Sequence, residues 1–179
     1  MILWLMIIAG TIFLDQLTKW LTVINLDYNR FTPDTIPIIK DVFHFTYVRN
    51  EGAAFSIFSA PDQRWIFMSI STIAIVALSV YLWKQRNGSK LLGVALSFII
   101  GGGIRNMIDR CALGYVVDFL DFRIINFAIF NIADSFVCVG VGLFALYVIL
   151  EEIKESKRLK AEKLANSGTN TENEISSNE

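Results

Sequence analysis

The sequence predicts an all-α membrane bundle of four transmembrane helices with a small extracytoplasmic β-sheet element. Three observations favour this fold class. Only 18% of the 179 residues are charged, against about 25% in a typical soluble domain. The mean hydropathy is +0.49. Seven of the 17 acidic and five of the 16 basic residues fall in the last 29 positions, which leaves long tracts almost uncharged.

The four transmembrane helices are predicted from tracts of the required length, because a bilayer core of ~30 Å needs about 20 apolar residues per helix. These tracts cover about residues 1–24, 65–83, 91–110 and 132–150. The first could be a cleaved signal peptide. It lacks a basic start and its apolar stretch continues past Lys19, so we interpret it as a span. Residues 1–150 are predicted to form a single domain.

The orientation follows from the basic residues that flank the spans. Lys84, Arg86 and Lys90 lie between the second and third spans without an acid among them, and five more bases follow the fourth. Both flanks are therefore predicted to be cytoplasmic, which places both termini inside. Residues 151–179 would form a charged cytoplasmic tail, disordered after about residue 165 because the composition there is polar.

An extracytoplasmic β element is predicted at about residues 35–60. Residues 42–48 alternate aromatic and polar side chains at a period of two, which is typical of a half-buried strand. Pro33 and Pro37 mark turns before it.

Asp15 and Lys19 lie inside the first span, where an ionisable side chain is costly without a partner. Their i, i+4 spacing places opposite charges next to each other on the helix. We interpret them as a structural pair. The functional alternative is a proton or ion relay.

The third span carries Asn106, Asp109 and Arg110 on one helical face, with Gly102 and Gly103 a turn earlier. Small residues allow a neighbouring backbone to come close. We interpret Asp109 as a structural acid paired with the arginine at the helix end. Asn106 and Arg110 are interpreted differently, because an amide and a guanidinium that face into the bundle can hold a carboxylate or a peptide carbonyl.

Asp118 and Asp134 are the remaining candidates, one just after the third span and one in the first turn of the fourth. The 15 residues between them allow the chain to return to the same place. The alternative for Asp134 is that Asn131 and this acid only support the start of the helix. Asp118 alone could be a surface acid.

The sequence offers no sign of metal, redox or nucleic-acid chemistry. Cys111 and Cys138 are 27 positions apart and the chain has a single histidine, His44, so neither a disulfide framework nor a zinc site is predicted. The net charge of −1, without a basic stripe, argues against a nucleic-acid partner.

Five segments taken together resemble the bacterial lipoprotein signal peptidase (signal peptidase II) family, in order and at similar spacing. They are DQLTK at 15–19, RNEGAAFS at 49–56, GGGIRNMIDR at 101–110, VVDF at 116–119 and FNIADS at 130–135. The resemblance covers about residues 15 to 150. The chain departs from the family pattern at Arg105, where a glycine usually precedes Asn106.

The resemblance implies an intramembrane aspartic endopeptidase that removes the signal peptide from diacylglyceryl-modified prolipoproteins, cleaving before the lipid-modified cysteine. Asp118 and Asp134 would be the catalytic pair, with no metal or organic cofactor. The enzyme would be a multi-pass protein of the bacterial cytoplasmic membrane, surrounded by membrane lipid, monomeric, with its active site toward the outer face. Residues that would bind substrate or support the site are Asn50, Gly52, Asn106, Arg110 and Asn131. Structural polar residues would be Asp15, Lys19 and Asp109.

Two other classes stay open at this point. The intramembrane acids are also compatible with a small channel or a proton-coupled carrier. A non-catalytic assembly factor is the third class, for which both acids of the pair would be dispensable.

Overall fold

The computed structural model describes residues 1–52, 61–125 and 127–176. Within these ranges, four helices are long and apolar enough to cross a membrane, which confirms the predicted spans. A three-stranded sheet accompanies them. The elements in chain order are α1 (Ile2–Asn25), β1 (Thr35–Ile39), β2 (Phe43–Asn50), α2 (Pro61–Lys84), α3 (Lys90–Leu113), β3 (Val116–Phe122), a 3₁₀ turn (Arg123–Ile125) and α4 (Ile132–Ser176).

Two helices end later than the sequence predicts. α3 continues to Leu113 and stops at Gly114, whose left-handed φ of 80° and N–H bond to the Arg110 carbonyl form a glycine cap. α4 continues to Ser176, past the position near residue 165 where disorder is expected. No proline interrupts this stretch, so the backbone is free to continue its i to i−4 bonds.

The chain divides into two compact units, Met1–Leu143 and Phe144–Glu179. The first unit contains every residue that the sequence analysis assigns to a site. The second is helical, and its described charges include an exposed i, i+3 pair between Glu151 and Lys154 at 3.5 Å.

α3 packs closely against two other helices because its glycines remove the side chains that would separate them. A Cβ atom on Gly101 would lie 2.9 Å from the Cβ of Thr11 on α1. A Cβ on Gly102 would lie 2.5 Å from the carbonyl oxygen of Ala133, in the first turn of α4. The small residues of the third span thus bring the start of α4 against α3.

The sheet has the order β1-β2-β3 and both pairings are antiparallel. β3 comes from the segment between α3 and α4, where the sequence analysis predicts no strand. Its register places Asp118 opposite Val48 and Val116 opposite Asn50. A small core of Leu26, Tyr47 and Val117 fixes this sheet against the end of α1. Residues 53–60, the rest of the predicted β element, lie outside the described residues.

Candidate active site

Four buried charged side chains form a cluster between α1 and α3. The Lys19 ammonium lies 2.7 Å from Asp15 Oδ2 and 2.8 Å from Asp109 Oδ2, so the predicted i, i+4 pair is present and extended by a second acid. Arg105 Nη1 lies 2.5 Å from Asp109 Oδ1, and its other terminal nitrogen donates to Gln16. The cluster therefore contains two positive and two negative charges.

The predicted pairing of Asp109 with Arg110 is wrong. Asp109 pairs with Lys19 and Arg105 instead, because residues four apart lie on one helical face whereas adjacent residues point about 100° apart. The Arg110 guanidinium donates to the carbonyl of Asn106 at 3.2 Å and to the carbonyl of Gly52 at 3.1 Å. It thus connects α3 to the chain that follows β2.

Asp118 lies on β3 with 2% of its surface exposed. Its Oδ2 accepts from Asn50 Nδ2 at 3.0 Å, and its Oδ1 accepts from Asn131 Nδ2 at 2.6 Å. Burial, together with the nearby charge of Asp134, raises the pKa of Asp118 to about 7, although the two amides oppose this shift. A carboxyl with this pKa keeps its proton over much of the range below neutrality.

Asp134 occupies the first turn of α4 and takes part in a capping box with Asn131. The Asp134 N–H donates to Asn131 Oδ1 at 2.9 Å, and the Asn131 N–H donates to Asp134 Oδ2 at 3.3 Å. The other carboxylate oxygen accepts from Asn106 Nδ2 at 2.7 Å. The preceding N–H, that of Ala133, is capped by Asp15 Oδ1 at 2.7 Å. Asp134 therefore does have the capping role considered from the sequence, through Oδ2. Its other oxygen, Oδ1, takes no part in capping and is bound by Asn106.

Asn131 joins the two acids. It has no exposed surface and contacts Asp118 with its amide nitrogen while its amide oxygen holds the Asp134 N–H. The same nitrogen donates to Asn106 Oδ1 at 3.2 Å. Gly52 is connected to Asp118 through Asn50, because the Gly52 N–H donates to Asn50 Oδ1 at 3.0 Å and Asn50 Nδ2 donates to Asp118.

Both acids line one cavity of about 490 Å³. Its polar lining also includes Asn50, Asn106 and Arg110. Asp15, Lys19 and Asp109 do not line the cavity and belong to the ion cluster. The rest of the lining is mainly apolar and includes Val116 and residues 127–130 and 137–139. Five of the ten predicted site residues thus line a single cavity that has both polar and apolar lining residues.

Sequence reasoning missed some of the surrounding residues. Arg105 was noted only as a departure from a family pattern, although its i, i+4 spacing to Asp109 indicates the ion pair that forms. Gln16, which accepts from Arg105, follows directly after Asp15 and carries no signal of its own. The wall at residues 127–130 is a short apolar stretch whose place depends on the bridge between Leu120 and Phe130.

The arrangement suits hydrolysis. Two buried carboxyl groups held beside one cavity cannot easily both ionise, and such a pair can supply one protonated acid and one base toward water. Among the residues that the structure describes, no group of three or more His, Cys, Asp or Glu side chains is placed to hold a metal ion. Fold and site together define the class, a membrane-embedded hydrolase with a paired-carboxylate centre.

The chain belongs to the signal peptidase II family, whose family model, described as Signal peptidase (SPase) II, matches residues 7–150. It is similar to the lipoprotein signal peptidase of Bacillus subtilis strain 168, with 44% identity over 86% of this chain and 94% of the relative. The corresponding protein of Brevibacillus brevis is 41% identical over 83% of this chain and 97% of its own length. The chain is accordingly a peptidase.

A solved structure has the same fold. A bacterial membrane enzyme determined by the in meso method at 2.3 Å resolution superposes with a TM-score of 0.73 and 32% identity, over 83% of this chain and 88% of that one. The four apolar helices and the small sheet are therefore a fold shared with a known membrane enzyme.

Proposed function

We propose that this chain removes the signal peptide from diacylglyceryl-modified prolipoproteins, cleaving before the lipid-modified cysteine as an intramembrane aspartic endopeptidase. The observation that carries the proposal is the pair of buried acids, Asp118 and Asp134, connected through Asn131 and lining one cavity. Membership of the signal peptidase II family supports the substrate class, since the relatives are named lipoprotein signal peptidases.

The two acids take different parts in the proposed mechanism. Amide donors reach both oxygens of each acid, but Asp134 alone sits at a helix N-terminus, which favours its ionised form. It takes a proton from water as the water oxygen attacks the scissile carbonyl carbon. Asp118, with its raised pKa, gives its proton to the carbonyl oxygen. Collapse of the tetrahedral intermediate breaks the C–N bond, and the leaving amine receives a proton from the pair.

The cavity walls supply the remaining roles. Asn50 and Asn106 hold the acids and, with Arg110, offer donors to the substrate backbone. Gly52 is hydrogen-bonded to two residues that line the cavity, Arg110 and Asn50, and its lack of a side chain leaves room for a peptide there. The apolar residues 127–130 line the same cavity and suit the apolar part of a lipidated substrate.

In this proposal the enzyme acts in the bacterial cytoplasmic membrane as a multi-pass monomer in contact with lipid. Both termini are cytoplasmic and the active site faces outward in this proposal, which the bases after the second and fourth predicted spans support. An outward site lets water reach the acids while acyl chains stay in the bilayer.

Substitution of either acid tests the proposal. We expect Asp118→Asn and Asp134→Asn to lower kcat for a diacylated prolipoprotein by at least ~100-fold, because each removes one half of the proton transfer. The measurement is a gel-shift cleavage assay in detergent, with folding checked by Tm. Asp121→Asn is the matched control, since Asp121 lies on the same strand and contacts Thr46 and Arg123 outside the cavity.

Retention of the parent's rate by a folded Asp118→Asn or Asp134→Asn variant would refute the protease mechanism. The alternative of a channel or carrier is not favoured. Asp15 and Asp109 are engaged by Lys19 and Arg105, and the other two acids face a cavity rather than a path. Ion flux across vesicles that contain the purified protein would support that alternative.

A further inference from the structure

We infer that Lys19 is a positioning residue for the proposed reaction, because its buried ammonium fixes the side-chain amide of Asn106 in the one orientation that donates to Asp134. The inference rests on the proposed function. It gives Lys19 a role beyond its structural pairing with Asp15.

The ammonium of Lys19 contacts three oxygen atoms, donating hydrogen bonds to Asp109 and Asn106 and forming an ion pair with Asp15. Two belong to the carboxylates of Asp15 and Asp109, at 2.7 and 2.8 Å. The third is Asn106 Oδ1, at 2.9 Å. Only 2% of Lys19 is exposed, so water offers little competition for these donors. The side chain therefore connects the ion cluster directly to the wall of the cavity.

Lys19 determines which end of the Asn106 amide faces Asp134. An ammonium donates and cannot accept, so the amide must turn its oxygen toward Lys19. Asn131 Nδ2 reinforces this orientation by donating to the same oxygen at 3.2 Å. The amide nitrogen is left facing Asp134 Oδ1, at 2.7 Å. In the flipped orientation a carbonyl oxygen would oppose a carboxylate oxygen, and Asp134 would lose a donor.

Arg105 provides a matched comparison. It touches Asp109 and lies 3.6 Å from Asp15, so it contributes to the same cluster as Lys19. Its bonds go to Asp109 and Gln16, and none of those found in the structure reaches Asn106. Removing either cation thus disturbs the same two acids, whereas only the removal of Lys19 takes a donor from the amide oxygen, which then keeps Asn131 Nδ2 as its donor.

The charged groups around Asn106 and Asp134 come from each packed element. They are Asp15 and Lys19 on α1, Arg105, Asp109 and Arg110 on α3, and Asp118 on β3. Loss of the Lys19 charge and of the Asn106 donor would both destabilise the ionised carboxylate of the pair. The acidic limb of the rate profile would then move to higher pH.

Two double variants with the same charge test the inference. Lys19→Met with Asp109→Asn leaves Asp15 opposite Arg105, and Arg105→Met with Asp109→Asn leaves Asp15 opposite Lys19. We expect the first to lower kcat by ~10- to 100-fold through misplacement of the base, with KM changing less than threefold and the acidic limb shifted upward. The second should keep kcat within threefold and the parent's pH profile. Tm should fall similarly in both.

Equal kcat values in the two folded double variants would overturn the inference, as would failure of only the Lys19 variant to fold. A second test adds Lys19→Met to Asn106→Leu and compares kcat on the pH plateau of each variant, where the effect of the Lys19 charge on ionisation no longer limits the rate. We expect less than a twofold further loss there, because the remaining effect of both residues acts through one amide. A full additional loss would also overturn it. Asp118→Asn in the same assay separates the two claims, since its normal activity would reject the proposed function itself.

Discussion

Asp118 shows how a single side chain acquires its chemistry from its surroundings. The residue is flanked by valine and phenylalanine on a short strand, and the sequence alone is equally compatible with a surface acid. Burial on β3 and the nearby charge of Asp134 raise its pKa to about 7. The amides of Asn50 and Asn131 keep the carboxyl oriented toward the cavity.

The raised pKa of Asp118 predicts the alkaline limb of the rate profile. The proposed mechanism needs its proton, so kcat should fall as pH rises through about 7. Asn50→Leu removes a hydrogen bond that lowers this pKa, and it should move the limb to higher pH. The measurement is initial cleavage rate between pH 4 and 9, with Asp121→Asn as the control that keeps the parent's limb. An Asn50→Leu limb shifted to lower pH would contradict the assignment.

At the scale of elements, α3 organises the site. It carries Asn106 and Arg110 on one side, and its glycines let α1 and the start of α4 approach. The contact at Gly102 is with the carbonyl of Ala133, the residue directly before Asp134. Close helix packing and the position of one acid are therefore coupled.

Gly102→Ala should disturb both stability and activity. The new Cβ would lie 2.5 Å from the Ala133 carbonyl oxygen, so α4 must move away from α3. Overpacking of this kind costs ~1–3 kcal/mol, and we expect a lower Tm together with reduced kcat. Gly10→Ala is the matched control, because nothing lies within 4 Å of its added Cβ. Equal Tm and kcat values for the two variants would show that the close contact is unimportant.

At the scale of the whole molecule, the charge distribution predicts the orientation in the membrane. Bases follow the second and fourth spans, and the segment between the first and second carries few. α4 is 45 residues long, more than twice the ~20 residues that a bilayer core needs. The bases in its second half are therefore predicted to lie in the aqueous phase.

Cysteine labelling tests this orientation. Phe31, which is 91% exposed, should react after Phe31→Cys with a membrane-impermeant maleimide added to intact cells. Lys154→Cys should react only after the cells are opened. Both variants are made after Cys111→Ser and Cys138→Ser, since both native thiols are exposed. The reverse labelling pattern would show that the orientation is inverted.

Composition and periodicity suffice to predict the four spans and the strand at β2. These features depend on local physics, namely the length of an apolar tract and the alternation of side chains along an extended chain. β3 escaped prediction, because its residues, Val-Val-Asp-Phe-Leu-Asp-Phe, are not strictly alternating. It becomes a strand by pairing with β2, a partner more than 60 residues away in sequence.

In the candidate site, too, some features follow from the local sequence and others only from contacts between distant parts of the chain. The sequence by itself determined which acids lie at the ends of spans, and motif resemblance added which of them would act together. Only the tertiary structure decided that Asp109 pairs with Lys19 and Arg105, that Asn131 joins Asp118 to Asp134, and that Lys19 reaches Asn106. Hydrogen-bond partners from different helices are chosen by distance and direction in space, and neither is encoded in the local spacing of residues along the chain.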